Sequence, residues 1–128
     1  MAEASECEEP LNATDILSYE DKYMAGGSKS SGGSKGMASL ARKIPADISP
    51  EMREQIRTMA VKAFQAMGGS GVARIDFMID TTDNTVYLNE INTIPGFTSI
   101  SMYPKLFAAS GIPYGQIIDN LLQLAQEV

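Results

Sequence analysis

Arg74, Asp76, Glu90 and Asn92 stand in two β-rich runs, Gly71 to Asp80 and Thr85 to Asn92, separated by the turn-like cluster Thr81 to Asn84. Side chains of an extended strand alternate faces, so Arg74 and Asp76 share one face of the first run and Glu90 and Asn92 share one face of the second. If a three-residue loop, Thr82 to Asn84, joins the strands, Asp76 lies opposite Glu90 and Arg74 opposite Asn92. Opposed carboxylates repel, at a cost of roughly 0.2–1 kcal/mol, so the pair asks for a cation. Mg²⁺ takes oxygen ligands in octahedral geometry and often brings substrate phosphates with it, and Asn92 would add a neutral oxygen. The plain alternative is a solvated polar face with Arg74 as ion-pair partner. Pro95-Gly96, separated from Asn92 by Thr93-Ile94, favours a ligand site, because bare backbone can approach an oxyanion there while Thr98, Ser99 and Ser101 supply hydroxyls and amides beside it.

The elements that hold these residues are legible on either side. Ser49-Pro50-Glu51 offers a Ser N-cap, a proline at the first helical position and an acidic first turn. Met52, Ile56, Met59, Ala60, Ala63 and Met67 then recur at helical spacing, and Gly68-Gly69 closes the helix. A short helix opens at Tyr103-Pro104, and a longer one runs from about Pro113 to Gln126 with Ile117, Ile118, Leu121, Leu122 and Ala125 on its apolar face. The first 49 residues carry few periodic apolar positions, and the Gly/Ser/Lys run from Ala25 to Gly36 has the composition of a mobile loop. Lys29, Lys35, Arg42 and Lys43 read as a solvated loop face. The fold class predicted is α+β: an antiparallel sheet built on the 71–92 hairpin, covered on one face by the 50–68 and 113–126 helices, with an early strand or two pairing beside it.

Composition bounds the chemistry. The 128 residues amount to about one domain's worth of chain. Sixteen acidic against ten basic side chains give a net charge of -6, which argues against broad phosphate-backbone binding to nucleic acid. No apolar stretch approaches the roughly 18–20 residues of a membrane span, the polar start Met1 to Pro10 lacks the features of a secretory signal, and a cytoplasmic protein is expected. A lone cysteine, Cys7, forms no internal disulfide. The complete absence of histidine excludes a Ser-His-Asp triad, a Cys-His pair and histidine-ligated zinc.

Arg74-Ile-Asp76-Phe-Met, followed by Tyr87-Leu-Asn-Glu90-Ile-Asn92-Thr-Ile-Pro95-Gly96-Phe-Thr98-Ser-Ile-Ser101, closely resembles the C-terminal signature of the D-alanine:D-alanine ligases, ATP-grasp enzymes of peptidoglycan precursor synthesis. Tyr19-Glu-Asp-Lys22-Tyr23 is similar to the Tyr-x-x-Lys-Tyr segment that opens the family's mobile active-site loop. The resemblance implies an ATP-grasp C-terminal subdomain over residues 18–128, with that loop at 24–43, after an unassigned N-terminal segment, 1–17. It further implies that Asp76, Glu90 and Asn92 hold two Mg²⁺ (or Mn²⁺) ions bridging the phosphates of ATP, with Glu90 shared between them. Arg74 and the Gly96 amide would stabilise the oxyanion of the tetrahedral intermediate. Ser101 and Met102 would bind the carboxylate of the second D-alanine, Lys22 would reach the nucleotide phosphates, and Tyr23 would order the loop against the first substrate.

The reaction implied is phosphorylation of one D-alanine to an acyl phosphate, attack by the amine of a second, and loss of phosphate. Ligases of this family that make the D-lactate ester tend to carry a histidine in the mobile loop; its absence here favours the dipeptide and leaves D-serine open as second substrate. A whole ligase is two to three times longer, homodimeric, and holds its first substrate and adenine nucleotide in N-terminal and central domains that 128 residues cannot contain. The expectation is therefore a C-terminal part that is inactive alone. The competing class is a non-catalytic module that binds Mg²⁺ and phosphate.

Overall fold

The computed structural model describes residues 1–11, 42–98 and 101–127. The expectations placed on residues 12–41, which include Lys22, Tyr23 and the greater part of the 24–43 loop, lie outside the described residues, as does Ser99.

Seven elements follow one another along the described chain. A two-residue strand β1, Glu9–Pro10, pairs antiparallel with β2, Arg42–Lys43. Helix α1 spans Pro50–Ala66, the hairpin strands are β3, Arg74–Asp80, and β4, Thr85–Asn92, and helices α2, Met102–Ala109, and α3, Tyr114–Gln126, complete the order. The class is the expected α+β. The early strands depart from expectation in one respect: they pair with each other and form a sheet separate from the hairpin. Proline at the second position of β1 lacks an N–H to extend a ladder. Among the described residues no helix is long and apolar enough to cross a membrane.

Helix α1 begins as its sequence dictates. Ser49 accepts a hydrogen bond from the Met52 amide at 3.2 Å, with Pro50 in the first turn. Its end is a Schellman motif: Gly69 N–H donates to Phe64 C=O at 2.9 Å and Gly68 N–H to Gln65 C=O at 3.0 Å, with Gly68 at φ 66°. Gly69 is required by space, since a Cβ there would stand 2.6 Å from the Phe64 ring. The same motif closes α2, where Gly111 at φ 91° lets Ile112 N–H reach Phe107 C=O at 2.9 Å. A further positive φ, 76°, occurs at Gly71, three residues before β3 begins.

The N-terminal segment is tied along α1 by arginines. Arg53 grips both oxygens of Glu6, at 2.6 and 2.7 Å, while Arg57 donates to the carbonyls of Ser5 and Ala4 at 3.1 and 2.9 Å. Ile56 of α1 and Ile117 of α3 are, besides Pro95 and Pro104, the buried apolar side chains among the described residues. A cleft of about 1690 Å³ is lined in part by Ile56 and Phe64 of α1, Phe77 and Ile79 of the hairpin, Phe107 of α2 and Ile117 of α3. Three residues expected on buried stripes are instead exposed. Met67 stands at the helix C-cap, past the last full turn, Leu122 lies about 140° around α3 from Ile117, and Ala125 falls in the exposed last turn of that helix.

Candidate functional site

The hairpin puts Arg74 opposite Asn92 and Asp76 opposite Glu90. It does so by a route other than the expected one. Asp80 pairs with Thr85, so the turn has four residues, Thr81 to Asn84, and a regular ladder from it would set Asn89 opposite Asp76. A bulge between Asp76 and Phe77 leaves Asn89 without a partner and advances β4 by one residue. Tyr87 and Thr85 therefore share a face with Met78 and Asp80, whereas beyond the bulge Glu90 and Asn92 take the face of Asp76 and Arg74. The turn is fastened by its own acids: Asp80 accepts from the Thr82 amide and hydroxyl at 2.9 and 2.6 Å, Asp83 accepts from the Thr85 amide at 2.9 Å, and Asn84 sits at φ 60°. Hydrogen bonds from the side chains and amides of Thr82 and Thr85 hold the Asp80 and Asp83 carboxyls below the usual range.

At the site end of the hairpin, Arg74 forms a bidentate pair with Asp76, Nε to Oδ1 at 2.9 Å and Nη2 to Oδ2 at 3.0 Å. The same guanidinium stands 3.7 Å from Glu90 Oε1. One cation thus balances two carboxylates, all three side chains being one-third to one-half exposed. Asn92 Oδ1 accepts from the Ile94 amide at 3.0 Å, an Asx turn that starts the Pro95-Gly96 loop and leaves the oxygen a second lone pair. As a donor set for Mg²⁺ these residues fit: two carboxylates and an amide oxygen, partly open to solvent, too few to enclose an ion and so dependent on phosphate oxygens or water. No group of three or more acidic, histidine or cysteine side chains able to cage a metal occurs among the described residues.

Gly96, Ser101 and Met102 line the same cleft as Arg74, Asp76 and Glu90. The loop is packed down through Phe97, whose ring lies 5.5 Å from Tyr103 and 5.4 Å from Tyr114. Burial in this cluster pushes the Tyr103 phenol up. Ser101 Oγ accepts from the Thr98 amide at 2.9 Å and lies 2.7 Å from Thr98 Oγ1. Lys22 and Tyr23 lie outside the described residues.

Two residues near the site escape sequence reasoning. Glu8 pairs with Arg42, their side chains 15% and 9% exposed, so Arg42 is no part of a solvated loop face. Arg42 and Lys43 form β2 and do not continue the 24–43 loop. Glu8 Oε2 is buried with no hydrogen-bond partner among the described residues. Burial pushes the Glu8 carboxyl up, Arg42 opposes the rise, and Asp76 and Arg74 lie close enough to act on it. Nothing in a Glu-Glu-Pro tripeptide signals that contact.

Chains of the same architecture are known. The structure of the D-alanine–D-alanine ligase from Coxiella burnetii matches with a TM-score of 0.64 at 45% identity, over 67% of this chain and 24% of that one. The VanG D-Ala:D-Ser ligase from Enterococcus faecalis matches with a TM-score of 0.60 at 37% identity, over 66% and 25%. Both place the chain in the ATP-grasp class. The family described as D-ala D-ala ligase C-terminus matches residues 1–123, and the chain belongs to it. The D-alanine–D-alanine ligase of Chlorobaculum tepidum is 45% identical over 124 residues, which are 97% of this chain and 31% of that protein. The chain thus spans about one-third of the length of the curated relatives it matches.

Proposed function

We propose that these residues form the C-terminal part of the active site of an ATP- and Mg²⁺-dependent ligase that joins two D-alanines for peptidoglycan synthesis in the cytoplasm. The observation that carries the reading is the convergence of Arg74, Asp76, Glu90 and Asn92 at one end of one hairpin face, beside the Gly96 loop. Membership of the family supports it.

Asp76, Glu90 and Asn92 would hold Mg²⁺, which when bound neutralises the charge of the transferring phosphoryl group. The γ-phosphoryl of ATP passes to the carboxylate of one D-alanine, giving an acyl phosphate and ADP. The amine of a second D-alanine then forms a bond to the acyl carbon, the carbon–oxygen bond to phosphate breaks, and the amine gives up its extra proton. Arg74 would serve the oxyanion of that step, its fork of donors being suited to a developing negative charge. The Gly96 amide completes that role, and Ser101 with Met102 receives the second carboxylate. Lys22 and Tyr23 would act from the loop.

D-serine is the second reading for the amine substrate, favoured by the likeness to a D-Ala:D-Ser ligase. The lack of histidine speaks against D-lactate. The nucleotide- and first-substrate-binding parts would come from the remainder of a longer ligase, a homodimer.

Calorimetry tests the metal site. Asp76→Ala and Glu90→Ala are each expected to weaken Mg²⁺ binding about tenfold or more, the range that loss of even a ligand's supporting partner causes. Unchanged affinity in both, with the fold intact, would leave the carboxylates a solvated polar face.

A further inference from the structure

Ser101 occupies the N-cap of α2, where a serine side chain ordinarily accepts from the amide of the second or third helical residue. It makes no such bond. The third residue of this helix is Pro104, buried and without an N–H, so one of the two usual donors is missing. The hydroxyl turns back instead toward Thr98, whose amide lies 2.9 Å and whose Oγ1 lies 2.7 Å from Ser101 Oγ. A serine oxygen carries two lone pairs and one proton. When both Thr98 groups donate, its lone pairs are filled and the proton is the only bonding capacity left. A carboxylate can only accept, so its arrival selects this arrangement of the two hydroxyls. Gly96 makes room for it, since a Cβ there would stand 2.9 Å from Ser101 Oγ.

We infer that Thr98 is a positioning residue for the substrate carboxylate: its amide and hydroxyl occupy the acceptor sites of Ser101 and present the Ser101 proton to the anion. This rests on the assignment of Ser101 to the second carboxylate. Thr98 itself touches no reacting atom.

The test is titration of the 128-residue chain with D-alanyl-D-alanine, followed through the amide resonances of Gly96, Ser101 and Met102. Ser101→Ala is expected to weaken binding about tenfold, Thr98→Val about fivefold, and Thr98→Ser, which keeps both donors, is expected to bind within about twofold of the parent. Phe107 and Leu121 amides report that the fold is kept. Failure of the parent to bind, or undiminished affinity in Ser101→Ala, overturns the assignment of Ser101 and the positioning role with it. Weakened Ser101→Ala beside unchanged Thr98→Val overturns the positioning role alone. So does a Thr98→Ser variant as weak as Thr98→Val, because loss of packing would then account for both.

Discussion

A guanidinium shared between two carboxylates is a stand-in for a metal: Arg74 supplies one positive charge where Asp76 and Glu90 carry two negative ones. Its hold on Asp76 is bidentate, so an entering cation competes with two hydrogen bonds for that carboxylate. The second forked arginine does a different job. Arg53 holds the Glu6 carboxyl below the usual range through its side-chain hydrogen bonds, and that pair fastens the N-terminal segment to α1. The unfolded chain then binds the proton more tightly than the folded one. The stabilisation is fully present above about pH 4.3, the ordinary glutamate value, and is lost as the pH falls through the depressed one. Glu8, pushed up by burial, has the opposite sign and stabilises less as it ionises. Thermal melts of Glu6→Gln beside the parent between about pH 6 and 3 should converge on the acid side and diverge toward neutrality, Glu6→Gln melting lower. Parallel curves would mean that the pair contributes nothing. At this scale the charged residues of the hairpin were readable from alternation alone, whereas Glu8, Arg42 and the Thr98 hydroxyl depend on contacts between segments far apart or on helix-cap chemistry.

At the scale of elements, the pairing of Asp76 with Glu90 was legible, but through two differences that cancel. The turn is one residue longer than the expected three-residue loop, and the bulge absorbs one residue of β4. Hydrophobic alternation cannot reveal this, because a bulge restores the apolar face on both its sides: Val86 and Leu88 before it and Ile91 after it share the face of Ile75 and Phe77. Helix α1 was legible nearly to the residue, since a serine cap, a first-turn proline and paired glycines are local signals. The bulge makes a prediction. Deleting Asn89 leaves every cross-strand partner unchanged while removing the local twist that aims Glu90. Cross-strand proton contacts between Asp76 and Glu90 are expected to survive, while Mg²⁺ affinity falls about threefold or more. Parent-like affinity would show that twist is irrelevant to the site.

For the whole molecule, the decisive features are the cleft and its thin core. Sequence periodicity placed apolar stripes on α1 and α3 but not the distance between them, because period reports which face is buried and not what lies against it. Of the large side chains on those stripes, only Ile56 and Ile117 reach burial among the described residues. A chain that spans about one-third of its relatives holds the residues assigned to metal and second carboxylate, while the grip on adenine and first substrate is expected elsewhere. Phosphate release that depends on both ATP and D-alanine is accordingly expected to be absent from the purified 128-residue chain, and a coupled phosphate assay that detected it would refute the need for further domains. The cleft of about 1690 Å³ carries one more consequence. Heat capacity of unfolding follows the apolar surface that a fold removes from water. With so much of that surface still wet in the folded state, the stability curve of this chain should be broad and shallow, cold and heat acting on it gently. Whatever fills the cleft would announce itself to a calorimeter as a steeper curve before it changed any rate.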